Sequence, residues 1–181
     1  NARYAVSMVE DHKKRKWMIS YVGLEMYDGS FHSFRSVKND TATLSTNYLY
    51  TVFEDTKGCI WVGGSDGLDR MVERGDTILF ERLSNKYGIP INIKSILEDD
   101  EGNLWLSSSQ GISTFNPEQN QVKHIFGSKE IQDMEFIERS CLKTTNGELY
   151  FGGTNGFVHF NPETLSRIET PYNLYLVDLK I

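Results

Sequence analysis

An aromatic residue recurs at Trp17, Trp61, Trp105 and Tyr150, in steps of 44, 44 and 45 residues. A glycine stands six residues after each one: Gly23, Gly67, Gly111 and Gly156. A repeat of this length is the signature of a stacked-unit fold. Each unit is then one small sheet that cannot bury its own apolar faces, and its neighbours must cover them.

The third unit shows the plan most clearly. Ile93 to Glu98 reads as a first strand and Asp99-Asp100-Glu101-Gly102-Asn103 as a turn, with side-chain acceptors and a glycine for positive φ. Leu104 to Ser107 is a second strand, Ser108-Ser109-Gln110 a loop, Gly111 to Phe115 a third strand and Gln121 to Phe126 a fourth, after a turn begun by Asn116-Pro117. The second unit repeats this at Tyr50 to Glu54, Cys59 to Val62, Gly67 to Met71 and Ile78 to Glu81. The fourth repeats it at Ser140 to Lys143, Glu148 to Phe151 and Gly156 to Phe160, and Asn161-Pro162-Glu163 closes it as Asn116-Pro117-Glu118 closes the third. The first unit is the least regular but keeps Trp17, Gly23 and the strand Leu24 to Tyr27. No stretch has a helical period.

The expected fold is therefore all-β, a β-propeller arc of about four four-stranded antiparallel blades over residues 3–44, 45–88, 89–132 and 133–170. One aromatic at the same place in every unit marks a core between blades, because a ligand site would break the symmetry. Most propellers have more blades, so the chain is either a rare closed four-blade ring or an arc cut from a larger, seven-bladed one. Two uncovered end faces predict self-association. The chain opens at Asn1-Ala2 without a methionine, which reads as the edge of a cut segment with more sequence upstream.

Composition narrows the function. The net charge is -6, whereas phosphate binding needs clustered cations, so no nucleic-acid contact is expected. The run Lys13-Lys14-Arg15-Lys16 aligns with Thr56-Lys57-Gly58 and Asp100-Glu101-Gly102, which makes it a solvated hairpin turn. No run of eighteen apolar residues occurs, so no membrane contact is expected of this segment. Cys59 and Cys141 fall on different strand types two units apart, which disfavours the approach to within about 7 Å that a disulfide needs.

The acidic turns lack the spacing and terminal glutamate of a calcium loop. His12, His32, His124 and His159 show no metal-ligand spacing. No Gly-x-Ser-x-Gly elbow is present, and the small residues Gly63-Gly64, Ser107-Ser108 and Gly152-Gly153 suit close packing. No metal, cofactor or catalytic residue is expected. Carboxylates facing a central channel would be the only route to acid–base chemistry, and nothing in the sequence selects a pair. Binding remains. In a propeller the loop between second and third strands shares a face with the blade-to-blade loops. That face carries Ser65, Thr154, Asn39, Asn85 and Lys129, and with them the candidate ligand-binding residues Lys38, Asp40, Asn47, Asp66, Lys86, Tyr87, Asn92, Gln110 and Asn155. Amides and charged groups offer the paired donors and acceptors that a hydroxyl-rich ligand needs. The blade-to-blade loops also vary in length while the strands do not, as specificity loops do.

The stretch from Phe53-Glu54-Asp55 through Gly58, Ile60-Trp61-Val62 and Gly67-Leu68-Asp69-Arg70 resembles a two-component regulator propeller repeat, as does Leu97-Glu98-Asp99 through Leu104-Trp105-Leu106. The family pattern is an acidic pair, a glycine turn, a hydrophobe-Trp strand and a Gly-Leu-x-Arg-like strand. The fourth unit departs with Thr144 for the aspartate and Tyr150 for the tryptophan, and the first has Lys14-Arg15 in place of the turn glycine. Residues 171–181 resemble the link into the small β-sandwich that follows such propellers. The resemblance implies part of a periplasmic sensor of a Bacteroidetes hybrid two-component system, without catalysis of its own. The implied partners are an oligosaccharide from glycan breakdown, further blades and the β-sandwich of the same receptor. A histidine kinase and a DNA-binding module regulating transcription would lie beyond it. Two other readings stay open, a structural or dimerisation scaffold with the ligand held elsewhere, and a propeller glycosidase or lyase.

Overall fold

A computed structural model of the chain describes residues 5–127, 131 and 134–165. The first sheet is β1 (Ala5–Glu10), β2 (Lys16–Ser20), β3 (Gly23–Tyr27) and β4 (Phe31–Phe34). The second is β5 (Leu49–Glu54), β6 (Ile60–Gly64), β7 (Gly67–Arg74) and β8 (Thr77–Arg82). The third is β9 (Ser95–Glu98), β10 (Leu104–Ser108), β11 (Gly111–Asn116) and β12 (Gln121–Gly127). The fourth shows β13 (Phe136–Lys143), β14 (Leu149–Gly153) and β15 (Gly156–Phe160) among the described residues. Every sheet is an antiparallel meander with its strands in chain order. The first strands β1, β5, β9 and β13 lie side by side, and β13 also approaches β5, so all four surround one axis. The chain is thus a four-bladed propeller assembly, as the repeat requires.

Burial explains the aromatic period. Trp17, Trp61 and Trp105 are 0%, 1% and 4% exposed, so each is enclosed. Trp17, Ile19 and Leu24 of the first blade form one core cluster with Val52, Ile60, Val62 and Phe80 of the second. Trp61 and Leu68 join Ile93, Ile96, Leu104 and Phe115 of the third. Trp105, Ile112 and Phe126 join Phe136, Leu149, Phe151 and Phe160 of the fourth. The core is therefore three seams rather than four sheet interiors, and truncating one seam tryptophan costs about 3–5 kcal/mol. Tyr150 behaves differently. It is half-buried and stacks on His159, with ring centroids 5.0 Å apart.

The glycine period has an equally local cause. Gly67 and Gly111 open third strands at φ 115° and 113°, a conformation that side chains rarely adopt. A Cβ on Gly111 would lie 1.8 Å from the Phe126 carbonyl oxygen. The small-residue loops serve packing as expected. A Cβ on Gly63 would lie 2.8 Å from both Ile93 Cγ2 and Thr51 Cγ2.

Three details depart from the sequence expectation. A four-residue helix α1 (Ser84–Tyr87) follows the second blade and ends on Gly88 at φ 74°; four residues are too few to show a period. A second short helix, α2 (Pro162–Leu165), follows the fourth blade's last described strand. The first strand of the third blade begins at Ser95 rather than Ile93, because the Ile93 amide donates to the Gly64 carbonyl of the preceding blade. Lys129 and the residue 171–181 link lie outside the described residues.

Candidate ligand-binding face

Asp55 Oδ1 accepts the amides of Lys57 at 3.0 Å and Cys59 at 2.7 Å, and Oδ2 accepts the Trp61 indole N–H at 2.8 Å. Asp99 repeats this with Glu101, Asn103 and Trp105, again 2.8 Å to the indole. Asp11 does the same with Lys13, Arg15 and Trp17. The first carboxylate of each turn is thus spent on closing the hairpin and anchoring the seam tryptophan. No metal-holding cluster of His, Cys, Asp or Glu occurs among the described residues. In the fourth blade Thr144 Oγ1 accepts the Glu148 amide at 3.0 Å, and Tyr150 donates to Glu148 instead of reaching the turn. The two departures of that unit therefore form one coupled exchange.

The residue before Asp55 and the residue before Asp99 each tie their blade to the preceding one. Glu54 accepts the His12 amide at 2.9 Å and lies 2.6 Å from its Nδ1. Glu98 accepts the Thr56 amide and hydroxyl, both at 2.8 Å. At the third seam the charges exchange places, and Lys143 pairs with Asp100 at 2.7 Å. The basic hairpin of the first blade also pairs outward, Lys13 and Arg15 both reaching Glu73 of the second blade. It is a seam contact rather than a phosphate patch.

The loops expected to share a face do so. The Ser65 amide donates to the Tyr48 carbonyl, and the Asn92 amide donates back to the Ser65 carbonyl. The β6–β7 loop is therefore wedged between the loops that enter and leave its blade. Several candidate residues shape this face. Asn47 Oδ1 accepts the Ser36 amide at 2.9 Å, and Asp40 Oδ1 accepts the Ala42 amide at 2.9 Å. Asn92 holds φ 55°, the left-handed bend that asparagine tolerates best. Tyr87 turns inward against Phe115, with centroids 6.0 Å apart, and is half-buried. Its ring is packing surface, with Lys86 Nζ 4.8 Å above it. Lys86 also pairs with Glu81 at 2.9 Å. Lys38, Asp66, Gln110 and Asn155 are exposed, and Asp66 accepts a local hydroxyl bond from Ser65, at 3.0 Å. The structure brings Asn47, Asp66 and Asn92 to one rim around the second blade.

Arg82 braces that rim, donating to the carbonyls of Asp40, Thr43 and Leu44 at 2.6–2.9 Å. Beside it Asp69, 1% exposed, accepts the Ser45 amide and hydroxyl on Oδ2, both at 2.9 Å, while Oδ1 has no partner among the described residues. Burial pushes the Asp69 carboxyl up to about 6 despite those two bonds. Burial likewise pushes the Cys59 thiol up to about 12, with Asp55 adding to it. Cys59 and Cys141 are both free thiols.

Sequence reasoning did not single out a group at the axis. Tyr50 sits in an irregularity of the β5–β6 register, between Leu49 and Thr51, and Arg139 in a longer one of β13–β14, between Phe136 and Cys141. Lys94 precedes β9 at the equivalent level, and its Nζ lies 4.1 Å from the centre of the Tyr50 ring. It also lies 3.1 Å from Glu138 Oε1. Arg139 donates from Nη1 to the Tyr50 carbonyl at 3.0 Å, and its amide donates to the Lys94 carbonyl at 3.0 Å. The 44-residue step from Tyr50 to Lys94 was visible in the sequence, but the bulge that aims Arg139 at the same spot was not.

Repeated four-stranded blades with buried seam tryptophans define a β-propeller of Trp-anchored repeats. Residues 43–66 and 88–110 match the two-component regulator propeller family. The matched stretches span β5 and β6 of the second blade and β9 and β10 of the third. The chain is 30% identical over 178 residues to histidine kinase P4 of Formosa agariphila, covering 94% of this chain and 13% of that protein. Its fold resembles the extracellular domain of a putative hybrid two-component system of B. thetaiotaomicron, with TM-score 0.73 and 24% identity over 92% of this chain and 23% of that one. It also resembles virginiamycin B lyase of Staphylococcus aureus, with TM-score 0.60 and 14% identity over 89% of this chain and 53% of that one. The chain thus spans about an eighth of the kinase and a quarter of the sensor domain.

Proposed function

We propose that this chain is a non-catalytic segment of the sensor region of a hybrid two-component system. In this reading it stands outside the inner membrane, in the periplasm, as part of a larger, seven-bladed ring that precedes a β-sandwich. The observation that carries the reading is the agreement between the repeat match at 43–66 and 88–110 and the kinship with a histidine kinase over almost the whole chain. The braced loop face gives such a sensor a rigid rim for a hydroxyl-rich ligand, an oligosaccharide from glycan breakdown. Ligand occupancy then biases the arrangement of the ectodomain, which changes transcription through kinase and DNA-binding parts elsewhere in the protein. End faces of the segment are covered by further blades of the receptor, or by another copy when it is isolated.

The test is calorimetric titration of an oligosaccharide panel into the intact sensor region and into this chain in parallel. Substituting Asn47, Asp66 and Asn92 should weaken binding tenfold or more. Unaltered affinity would favour a scaffold that leaves the ligand to another part of the receptor. Release of reducing ends by the purified chain would overturn the non-catalytic reading.

A further inference from the structure

The axial group of Tyr50, Lys94, Glu138 and Arg139 has features that a simple tie between blades does not require. Three successive blades send side chains to it: Tyr50 from the second, Lys94 from the third, and Glu138 and Arg139 from the fourth. Two of those are cations, within a chain of net charge -6. The β-strand irregularities re-aim side chains from a regular ladder toward the axis, a device found beside binding sites. Arg139 holds φ 61°, a conformation that costs a bulky residue energy and that an ordinary strand residue would avoid. Its side chain is 36% exposed and uses one N–H on the Tyr50 carbonyl, which leaves further donors of the guanidinium fork.

Glu138 shows what the cations can hold. Its Oε1 lies 3.1 Å from Lys94 Nζ and its Oε2 3.8 Å from Arg139 Nη1. One carboxylate already bridges both cations, beside the face of an aromatic ring. Arg and Lys placed this way recognise an oxyanion.

We propose that this axial group is an oxyanion subsite that takes the carboxylate or sulfate of an acidic saccharide, with Glu138 as the internal carboxylate that the ligand displaces. The inference rests on the saccharide-sensing reading and narrows its ligand to charged sugars. It makes neighbouring residues act in opposite directions. Removing Glu138 frees the cations, whereas removing Arg139 or Lys94 removes the subsite.

The experiment is calorimetric titration of the purified chain with galacturonate oligosaccharides, sulfated galactose oligosaccharides and neutral galactose oligosaccharides of equal length. Wild type should bind at least one acidic series tenfold or more tightly than the neutral one, and the stronger series identifies carboxylate or sulfate as the source. Glu138→Gln should tighten acidic binding threefold or more. Arg139→Asn, which keeps a residue that tolerates the left-handed backbone, and Lys94→Met should each weaken it tenfold or more. Neutral binding should change less than twofold in all three. Equal affinity for neutral and acidic sugars, or no gain in Glu138→Gln, overturns the oxyanion subsite while leaving saccharide sensing intact. Absence of binding by all three series overturns both.

Discussion

Removing the turn carboxylate of the second blade isolates the contact that makes this repeat what it is. In Asp55→Ala the Trp61 indole N–H loses its acceptor at 2.8 Å, in a position 1% exposed where no water replaces it. A buried donor left unsatisfied costs about 1–3 kcal/mol. The amides of Lys57 and Cys59 lose the same carboxylate, but they lie in a half-exposed turn and recover part of the loss from solvent. The sum is about 3–4 kcal/mol, a large fraction of the stability of an ordinary domain. Trp61→Phe removes the same indole bond but leaves the turn acceptor in place. The two changes share one interaction, so the double variant should fall short of their sum by about 1–2 kcal/mol. The assay is urea denaturation of the four proteins at pH 7, followed by circular dichroism. Strict additivity would refute the reasoning, because the indole bond would then contribute nothing beyond what turn and ring contribute separately.

Other expected outcomes are narrower. Asp69 ionises near 3.8 in an unfolded chain and near 6 in the fold, so the fold holds its proton more tightly. Its contribution is therefore fully present below about pH 4 and is lost as pH rises through 6, worth about 3 kcal/mol. Asp69→Asn should gain on wild type by roughly that amount between pH 4 and pH 7, and a gap independent of pH would disprove it. With its thiol pushed up to about 12, Cys59 should react with a disulfide reagent at pH 8 far more slowly than glutathione does, measured in a Cys141→Ser background. A rate equal to that of free thiol would show the site to be open. Glu98→Ala should cost about 1–2 kcal/mol and raise hydrogen exchange at the Thr56 amide, which Glu98 holds at 2.8 Å. Unchanged protection at Thr56 would mean that the seam does not depend on this latch.

The blades were legible because their signals are local and repeated. Trp61 and Gly67 recur at fixed spacing since each answers one steric demand per unit, a covered seam and a left-handed strand opening. The partnership of Asp55 with Trp61 was legible only in part. The six-residue spacing recurs, and Thr144 departs together with Tyr150, but the hydrogen bond itself depends on how the hairpin twists. The latches were hidden because they join residues 42 or 43 positions apart across a seam. At the candidate face, amide side chains look alike in sequence whether they await a ligand or serve the backbone. Asn47 and Asp40 serve it, through Ser36 and Ala42. Tyr87 looked like a loop aromatic because the short helix that turns it inward leaves no period.

The exchange of charge at the third seam works as an ordering code. A blade in this chain offers its hairpin forward and reaches backward with the last residue of its first strand. His12 and Thr56 are met by glutamates, whereas Asp100 is met by Lys143. If the second or third blade docked behind the third blade's hairpin, a glutamate would face Asp100, and like charges would oppose each other where an ion pair belongs. If the fourth blade docked behind the second, Lys143 would meet the Thr56 amide and find a donor instead of an acceptor. Four units alike enough to interchange thus carry a mark that penalises assembly in the wrong sequence, a hazard that repeat proteins face while they fold.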